Sequence, residues 1–410
     1  MKLILFKNTV ETLEFFSFQI AKALESLEWD IFFYDCLDPF SSYPALLRFI
    51  EGGNTAAFSF NFSGLISDPC LCQRDGRDPV FFKETGIPII NMVVDHPYYY
   101  HEALSNVPPN YHQICIDNNH IRYMQRFFPN IDANHYLPLA GTHLDFSPPI
   151  QNELGLLPME NRVHDIVFTG NYVPPESYDE QLKSLDKPVQ DFYQALFMEL
   201  VACPYKTLEE TAERRIKEAF GAAADDEYLK SCFSQTIFLD LKLRHYFRGQ
   251  ILKTLTDAGI KVTVFGSGYE RLPLLHPENL EIHGNVDSER CLKEISRAKI
   301  SLNVMPWFKD GTHDRVYSSM LNGSVCLSDH SKALDLEFSD GEDILFYDLK
   351  RPEEAAEKAS RLLSDTKALT AIANTAYLKA SKSGTWADRA DYIADFALKY
   401  INNTNSDKLF

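Results

Sequence analysis

A chain of 410 residues, 45% apolar and 13% aromatic, is long enough for two hydrophobic cores and too apolar to be a disordered polymer. Its formal charge of −18 excludes nucleic acid and anionic membrane surfaces as principal partners, but a local basic pocket could still take a small anion. No apolar run reaches the roughly 18 residues of a transmembrane span, and the charge-interrupted start Met1–Lys7 does not have the form of a signal peptide.

The eight cysteines are scattered singly apart from Cys70 and Cys72, with no paired CxxC units, so a zinc ribbon is not expected. Cys115 and Cys326 fall in apolar strand-like runs, as reduced core thiols do in a cytoplasmic protein.

The first 150 residues alternate strand and helix patterns. Leu3–Phe6 is a buried-type strand, and 11–27 has helical periodicity through Leu13, Phe16, Ile20 and Leu24. Ile31–Tyr34, Ala56–Phe62, Ile87–Val94, His112–Ile116 and Ala133–Leu137 read as further strands, with helices over Tyr43–Ile50 and Arg122–Phe127. A polar connector over Gly141–His164 carries Pro148, Pro149 and Pro158. A second series opens with the strand at 165–171, gives way to a charge-rich helical block over 176–257, and resumes at Val262–Phe265. Strands at 280–284, 300–304, 324–328 and 344–347 follow, then helices over 352–363 and 367–382 and a last helix from Trp386 to about Ile401, with a polar tail expected to fray.

Repeated βα units imply parallel sheets with helices on both faces. The expected architecture is α/β, with two Rossmann-like doubly wound domains facing a central cleft and a helical insertion in the second. The expected boundaries are 1–150, a linker at 151–164, a second domain at 165–385, and a C-terminal helix and tail at 386–410 that packs back on the first domain. Ligands in such folds sit at the carboxyl ends of the strands.

The segment Asp310–Gly323 is a polar loop running into a short helix that stops at Asn322-Gly323. A helix N-terminus aimed at the loop attracts anions. Gly311 allows close backbone approach, and His313 and Arg315 add donors suited to phosphate oxygens.

The runs VTVFGSG (262–268), LEIHGNVDSERCLKEISRAKISLNVMP (280–306), DGTHDRVYSSMLNGSVCLSD (310–329) and FSDGEDILFYD (338–348) together resemble GT-B glycosyltransferases of the group-1 type, and more narrowly their CgeB-like branch. The resemblance covers about residues 240–400, with DIVFTGN (165–171) and VVDHP (93–97) adding to it upstream. It implies a nucleotide-sugar donor, retention of configuration, no cofactor and no bound metal. Group-1 enzymes carry two glutamates around this helix. The first lies by the transferred sugar and falls here on Asp310. The second binds ribose and falls on Ser318, which cannot make that bidentate contact, leaving Asp314 or Ser319 nearby as substitutes.

The resemblance makes Gly311, His313 and Arg315 the leaving-group residues. Gly266, Ser267 and Gly268 at one strand end, and Asn303 and Pro306 at another, are further donor-side candidates. Asp95 and His96 end an apolar strand where a carboxylate and an imidazole could meet an acceptor hydroxyl. Asn61, Gly64, Tyr98 and Tyr99 complete the acceptor side. The expected partners are a nucleotide sugar and an acceptor (protein, glycan or small molecule), with the helical block 176–257 as a surface for a partner protein. The rival readings are a non-catalytic scaffold of a glycosylation system and a GT-B-fold nucleotide-sugar epimerase.

Overall fold

The computed structural model describes residues 1–73, 76–144, 148 and 150–407, without side chains at 222 and 403–407. Pro149 and residues 145–147 of the connector lie outside the described residues, as does the end of the tail at 408–410. The chain divides into two compact units: unit 1 is Met1–Leu139 with the chain from Thr385 onward, and unit 2 is Ala140–Gly384.

Unit 1 is built on β1 (Lys2–Lys7), β2 (Asp30–Asp35), β3 (Thr55–Phe60), β4 (Ile89–Val93), β5 (Tyr111–Cys115) and β6 (Asp132–Tyr136), paired in parallel in the order β2-β1-β3-β4-β5-β6. The central strands are mostly apolar and buried on both faces, which helices cover. Leu3, Ile4, Leu5, Ala57, Ile89 and Ile90 are all buried. The chain direction across the sheet reverses between β1 and β3.

The final helix, Trp386–Asp407, belongs to this unit and runs six residues past the expected Ile401. It packs on the helix Glu11–Ser26, where the Trp386 ring meets Phe16 at 4.8 Å and Phe60 at 6.0 Å, and Arg389 Nε donates to the Pro138 carbonyl at 2.8 Å. Further along, Tyr400 donates to Asp132, which also holds His112 at 3.1 Å and His135 at 2.8 Å. These contacts explain why a polar sequence stays helical: tertiary anchors, not propensity, hold it.

Unit 2 contains β7 (His164–Thr169), β8 (Val262–Phe265), β9 (Leu280–Ile282), β10 (Ala298–Asn303), β11 (Val325–Asp329) and β12 (Leu345–Tyr347), parallel in the order β12-β11-β10-β7-β8-β9. Here the order reverses between β7 and β10. The helical block is not wholly an insertion. Its last helix, Ile237–Asp257, is the crossover that a parallel β7–β8 connection requires, and it packs against Glu353–Leu363. The helices Lys187–Ala202, Leu208–Phe220 and Asp226–Ser234 are the additional part.

All eight cysteines are free thiols, with Cys115 and Cys326 fully buried. Among the described residues no helix is long and apolar enough to cross a membrane. Replacing Trp386 with Ala would empty a buried aromatic site and should cost about 3–5 kcal/mol of unfolding free energy, read from urea denaturation.

Candidate functional site

The reversal between β7 and β10 puts the carboxyl ends of both strands beside a gap that no crossover fills. Phe168, fully buried near the end of β7, has two guanidinium groups near its ring. Arg248 stands 5.2 Å from its ring centroid and Arg315 stands 5.3 Å away. Arg315 comes from the helix Asp314–Leu321 and donates to Asn303 Oδ1 at 2.9 Å, while Asn303 Nδ2 donates to Ser328 Oγ at 2.9 Å.

Arg248 comes from the crossover helix, is 8% exposed, and donates through Nη1 to the Asn171 carbonyl, while its Nε is buried without a hydrogen-bond partner. Burial first, and then the like charges of Arg315 and Arg244, pull the Arg248 guanidinium down to about 10. Arg244, one turn earlier, pairs with Asp240 at 2.8 Å and lies 4.2 Å from the Trp307 ring.

Aromatic and imidazole groups close this region. Tyr172 and Tyr269 stack at 5.8 Å, as do Tyr178 and His245. His245 Nδ1 accepts the Val173 amide at 3.2 Å. Burial, together with Arg248 and Arg244, drives its pKa down to about 3, so the ring is neutral at physiological pH.

The expected donor-side residues divide among distinct places. Ser267 donates its amide to Asn171 Oδ1 at 2.9 Å, which ties the turn after β8 to the turn after β7. Gly266 and Gly268 have positive φ, and a Cβ would fall 2.1 Å from the Gly170 oxygen at the first and 2.0 Å from the Tyr172 oxygen at the second. Only glycine allows that approach. These residues, Asn303 and Arg315 are therefore linked through Asn171, Arg248 and Phe168.

Pro306 is buried, and its carbonyl accepts from Lys309; Asp310 is half-buried. The Gly311 carbonyl accepts from Ser331 Oγ at 2.7 Å. The helix N-terminus is not left open. His313 Nδ1 lies 3.2 Å from the Arg315 amide, which it caps, and 2.7 Å from Asp314 Oδ1. Burial and Arg315 lower the His313 pKa. Burial also works to raise that of Asp314, but His313 and Arg315 hold this carboxyl below its ordinary range. Ser318 is turned away from this region: it is 5% exposed and accepts the Thr142 amide at 3.3 Å. Ser319 is fully buried and donates to the Arg315 carbonyl at 2.6 Å.

In unit 1, Asn61 and Asp95 meet at the carboxyl ends of β3 and β4. Asn61 donates to Asp95 Oδ2 at 3.1 Å and accepts the Val94 amide at 2.8 Å, and Tyr100 donates to Asp95 at 3.4 Å. Asn61 and the buried Phe62 both hold left-handed backbone, φ 49° and 62°, a strain concentrated at the carboxyl end of β3. His96 is 7% exposed, accepts the Tyr98 amide at 3.2 Å and stacks on Tyr98 at 3.9 Å, so it faces an aromatic cluster. Tyr98 is buried, Tyr99 half-buried against it, and Gly64 packs on the Phe6 ring.

Phe168, Asn171, Arg248 and His245 were not among the expected site residues. The signal for Arg248 was present: Arg244 and Arg248 share a face of a helix whose apolar residues lie all round, where a cation is rarely buried without a purpose.

Residues 244–395 match the family model "Glycosyl transferase-like". No curated protein matches by sequence. Among solved structures, the sucrose-phosphate synthase of Thermosynechococcus elongatus superposes with a TM-score of 0.54 at 11% identity, over 98% of this chain and 100% of that one. An alpha-glucosyltransferase in complex with UDP-glucose and DNA superposes with a TM-score of 0.57 at 11% identity, covering 97% of this chain and 99% of that one. The Anabaena protein HepE, in complex with UDP and glucose, gives a TM-score of 0.52 at 10% identity, with 97% and 100% covered. The fold is GT-B, as its two parallel six-stranded sheets and these likenesses show.

His245 should stay neutral, with Nδ1 unprotonated, from about pH 5 to pH 8. Long-range proton–nitrogen NMR of the imidazole would check this by the absence of a titration step.

Proposed function

We propose that this protein is a glycosyltransferase that moves a sugar from a nucleotide diphosphate sugar to an acceptor, retaining configuration and needing no bound metal. The observation that carries this reading is the pair of guanidiniums, Arg248 and Arg315, held on one aromatic ring at the strand reversal of unit 2. Two like charges in a buried setting repel each other and are relieved by a ligand of at least two negative charges, which a diphosphate supplies. As the glycosidic bond breaks, charge grows on the leaving oxygen, and cations already in place stabilise it without reorganising. The match of residues 244–395 to a glycosyltransferase family model supports the same reading, and the narrower CgeB-like placement is proposed on the sequence runs at 262–348 alone.

In this mechanism unit 2 holds the donor. The turns at 170–172 and 266–268, tied to each other by the Ser267 and Tyr172 amides, wall the donor pocket, and Arg315, aligned by Asn303, faces the diphosphate. Asp310 takes the sugar side. In unit 1, Asp95, oriented by Asn61 and Tyr100, receives the acceptor hydroxyl. His96 shapes that site from within the aromatic cluster. Ribose recognition falls to Asp314, because Ser318 and Ser319 are engaged elsewhere. UDP is the first nucleotide to test, being the one named with two of the structural neighbours.

The buried Ser318 favours a second reading, a non-catalytic partner in a glycosylation system. Titrating the purified protein with UDP, GDP, dTDP and CMP sugars by calorimetry, with hydrolysis followed in parallel, separates the two. Binding and slow hydrolysis of one donor are expected, and silence across the panel would sink the enzymatic reading. Turnover of the sugar without acceptor into an isomer would instead identify an epimerase. Replacing Arg248 or Arg315 with Ala should each weaken nucleotide binding roughly ten- to hundredfold, the range for a lost charge-assisted hydrogen bond.

A further inference from the structure

The loop 304–313 is fastened at its root by a carboxylate that has no role in the account above. Asp329 ends β11 and is 1% exposed. Its Oδ1 accepts the Met305 amide at 2.8 Å, while Oδ2 is buried with no hydrogen-bond partner. The neighbouring links run between the same two segments. Asn303 donates to Ser328 Oγ at 2.9 Å, Ser331 Oγ donates to the Gly311 carbonyl at 2.7 Å, and the Lys332 amide donates to the Lys309 carbonyl at 2.9 Å. The loop is therefore pinned at both ends to residues 328–332, with Asp329 gripping the start.

A buried carboxylate with one oxygen unmatched is costly, and a neutral residue of the same shape would avoid that cost. Burial pushes the Asp329 carboxyl up to about 6 from 3.8, against the Met305 hydrogen bond and the charges of Lys309 and His330. Tyr347 and Cys326 also face it, with Arg315 acting on both. A carboxyl whose folded pKa lies above its unfolded value contributes stability when protonated, fully below the unfolded pKa, and loses that contribution as pH rises through the folded one. At neutral pH the ionised side chain weakens the fold, so stability is not what it provides.

We propose that Asp329 is a positioning residue: as a carboxylate it clamps the Met305 amide and holds the loop carrying Asp310, Gly311 and His313 in the shape that receives the donor, and protonation relaxes that loop. An ionised acceptor binds an amide about twice as strongly as a neutral one, so the two protonation states differ in grip. The consequence for the donor rests on the nucleotide-sugar reading, whereas the clamp itself does not.

Trp307 lies in this loop, which allows a test on the whole chain labelled with 5-fluorotryptophan. The Trp307 fluorine signal, identified by its loss in Trp307→Phe, should move with a midpoint near pH 6 in the wild type and stay fixed in Asp329→Asn. At about pH 7.5 the Asn variant should melt no lower than the wild type, yet bind UDP at least roughly tenfold more weakly. A wild-type signal that does not move between about pH 5 and pH 8 overturns the proposal without any variant. So does a transition that persists in Asp329→Asn, which would belong to His313, 5.9 Å from the Trp307 ring. A variant with a lowered melting temperature and unchanged UDP affinity would mark Asp329 as merely structural and also overturn it. If the wild type binds no nucleotide while Trp307 still titrates through Asp329, the clamp stands and the nucleotide-sugar reading falls.

Discussion

The site in unit 2 is organised around two guanidinium groups held near one aromatic ring, one of them buried and the other half-buried. Arg248 and Arg315 lie almost equally far from the Phe168 ring, and Arg248 is buried. Attraction to the ring's electron-rich face offsets some of the mutual repulsion, by an amount on the order of 1–2 kcal/mol per contact when desolvated. Much of the local structure follows from keeping them there. The Asn171 carbonyl must point at Arg248, so the turn after β7 is fixed, and the turn after β8 is drawn against it closely enough that Gly266 and Gly268 admit no side chain. Asn303 is oriented by Ser328 so that its oxygen meets Arg315.

Topology supplies the place for this arrangement. In unit 2 the chain runs from β7 to β8 on one side and returns to place β10 on the other, which leaves the carboxyl ends of β7 and β10 without a crossover between them. Unit 1 reverses in the same way between β1 and β3, and the strained Asn61 and Phe62 follow directly on β3. Each unit thus offers its own strand-end site, charged and cationic in one and carboxylate-bearing in the other.

The parallel sheets were legible because period and length agreed: runs such as Ile89–Val93 and Val262–Phe265 are apolar but for one buried polar residue each, Asn91 and Thr263, and are bounded by Gly, Pro or polar turns. The stop of the helix at Asn322-Gly323 was equally readable, with Gly323 at φ 71°. Other features depend on contacts that periodicity does not encode. The last helix continues past Ile401 because Tyr400 reaches Asp132, more than 250 residues earlier. The helix N-terminus at Asp314 suggested an open anion site, but the His313 side chain caps it and Asp314 occupies its first turn. Arg248 lay within a block read only as charge-rich and helical, and its spacing of four residues from Arg244 on a helix apolar all round is what sets it apart. Ser318 stood at a position chosen by resemblance, and its burial against Thr142 is set by the packing of the 140–142 segment.

The buried arginines show how structural and functional cations can be told apart. Arg162 and Arg248 are both almost fully enclosed, and burial lowers each guanidinium to about 10. Arg162 donates through Nε to Leu157 at 3.0 Å and through Nη1 to Ala298 at 2.8 Å, with further contacts to the Asn322 carbonyl and Ser324 at 3.4 Å. Every one of these partners is protein, and the group acts as a brace for the strand ends it touches. Arg248 holds one carbonyl, leaves Nε without a partner and faces the positive charge of Arg315. A desolvated cation kept short of acceptors and beside a like charge weakens the native state. An anion of the right span would supply the missing acceptors and remove the repulsion together, so the energy withheld from folding becomes binding energy. The contrast lies in the hydrogen bonds rather than in the depth of burial, and it separates an arginine that completes the fold from one that awaits a ligand.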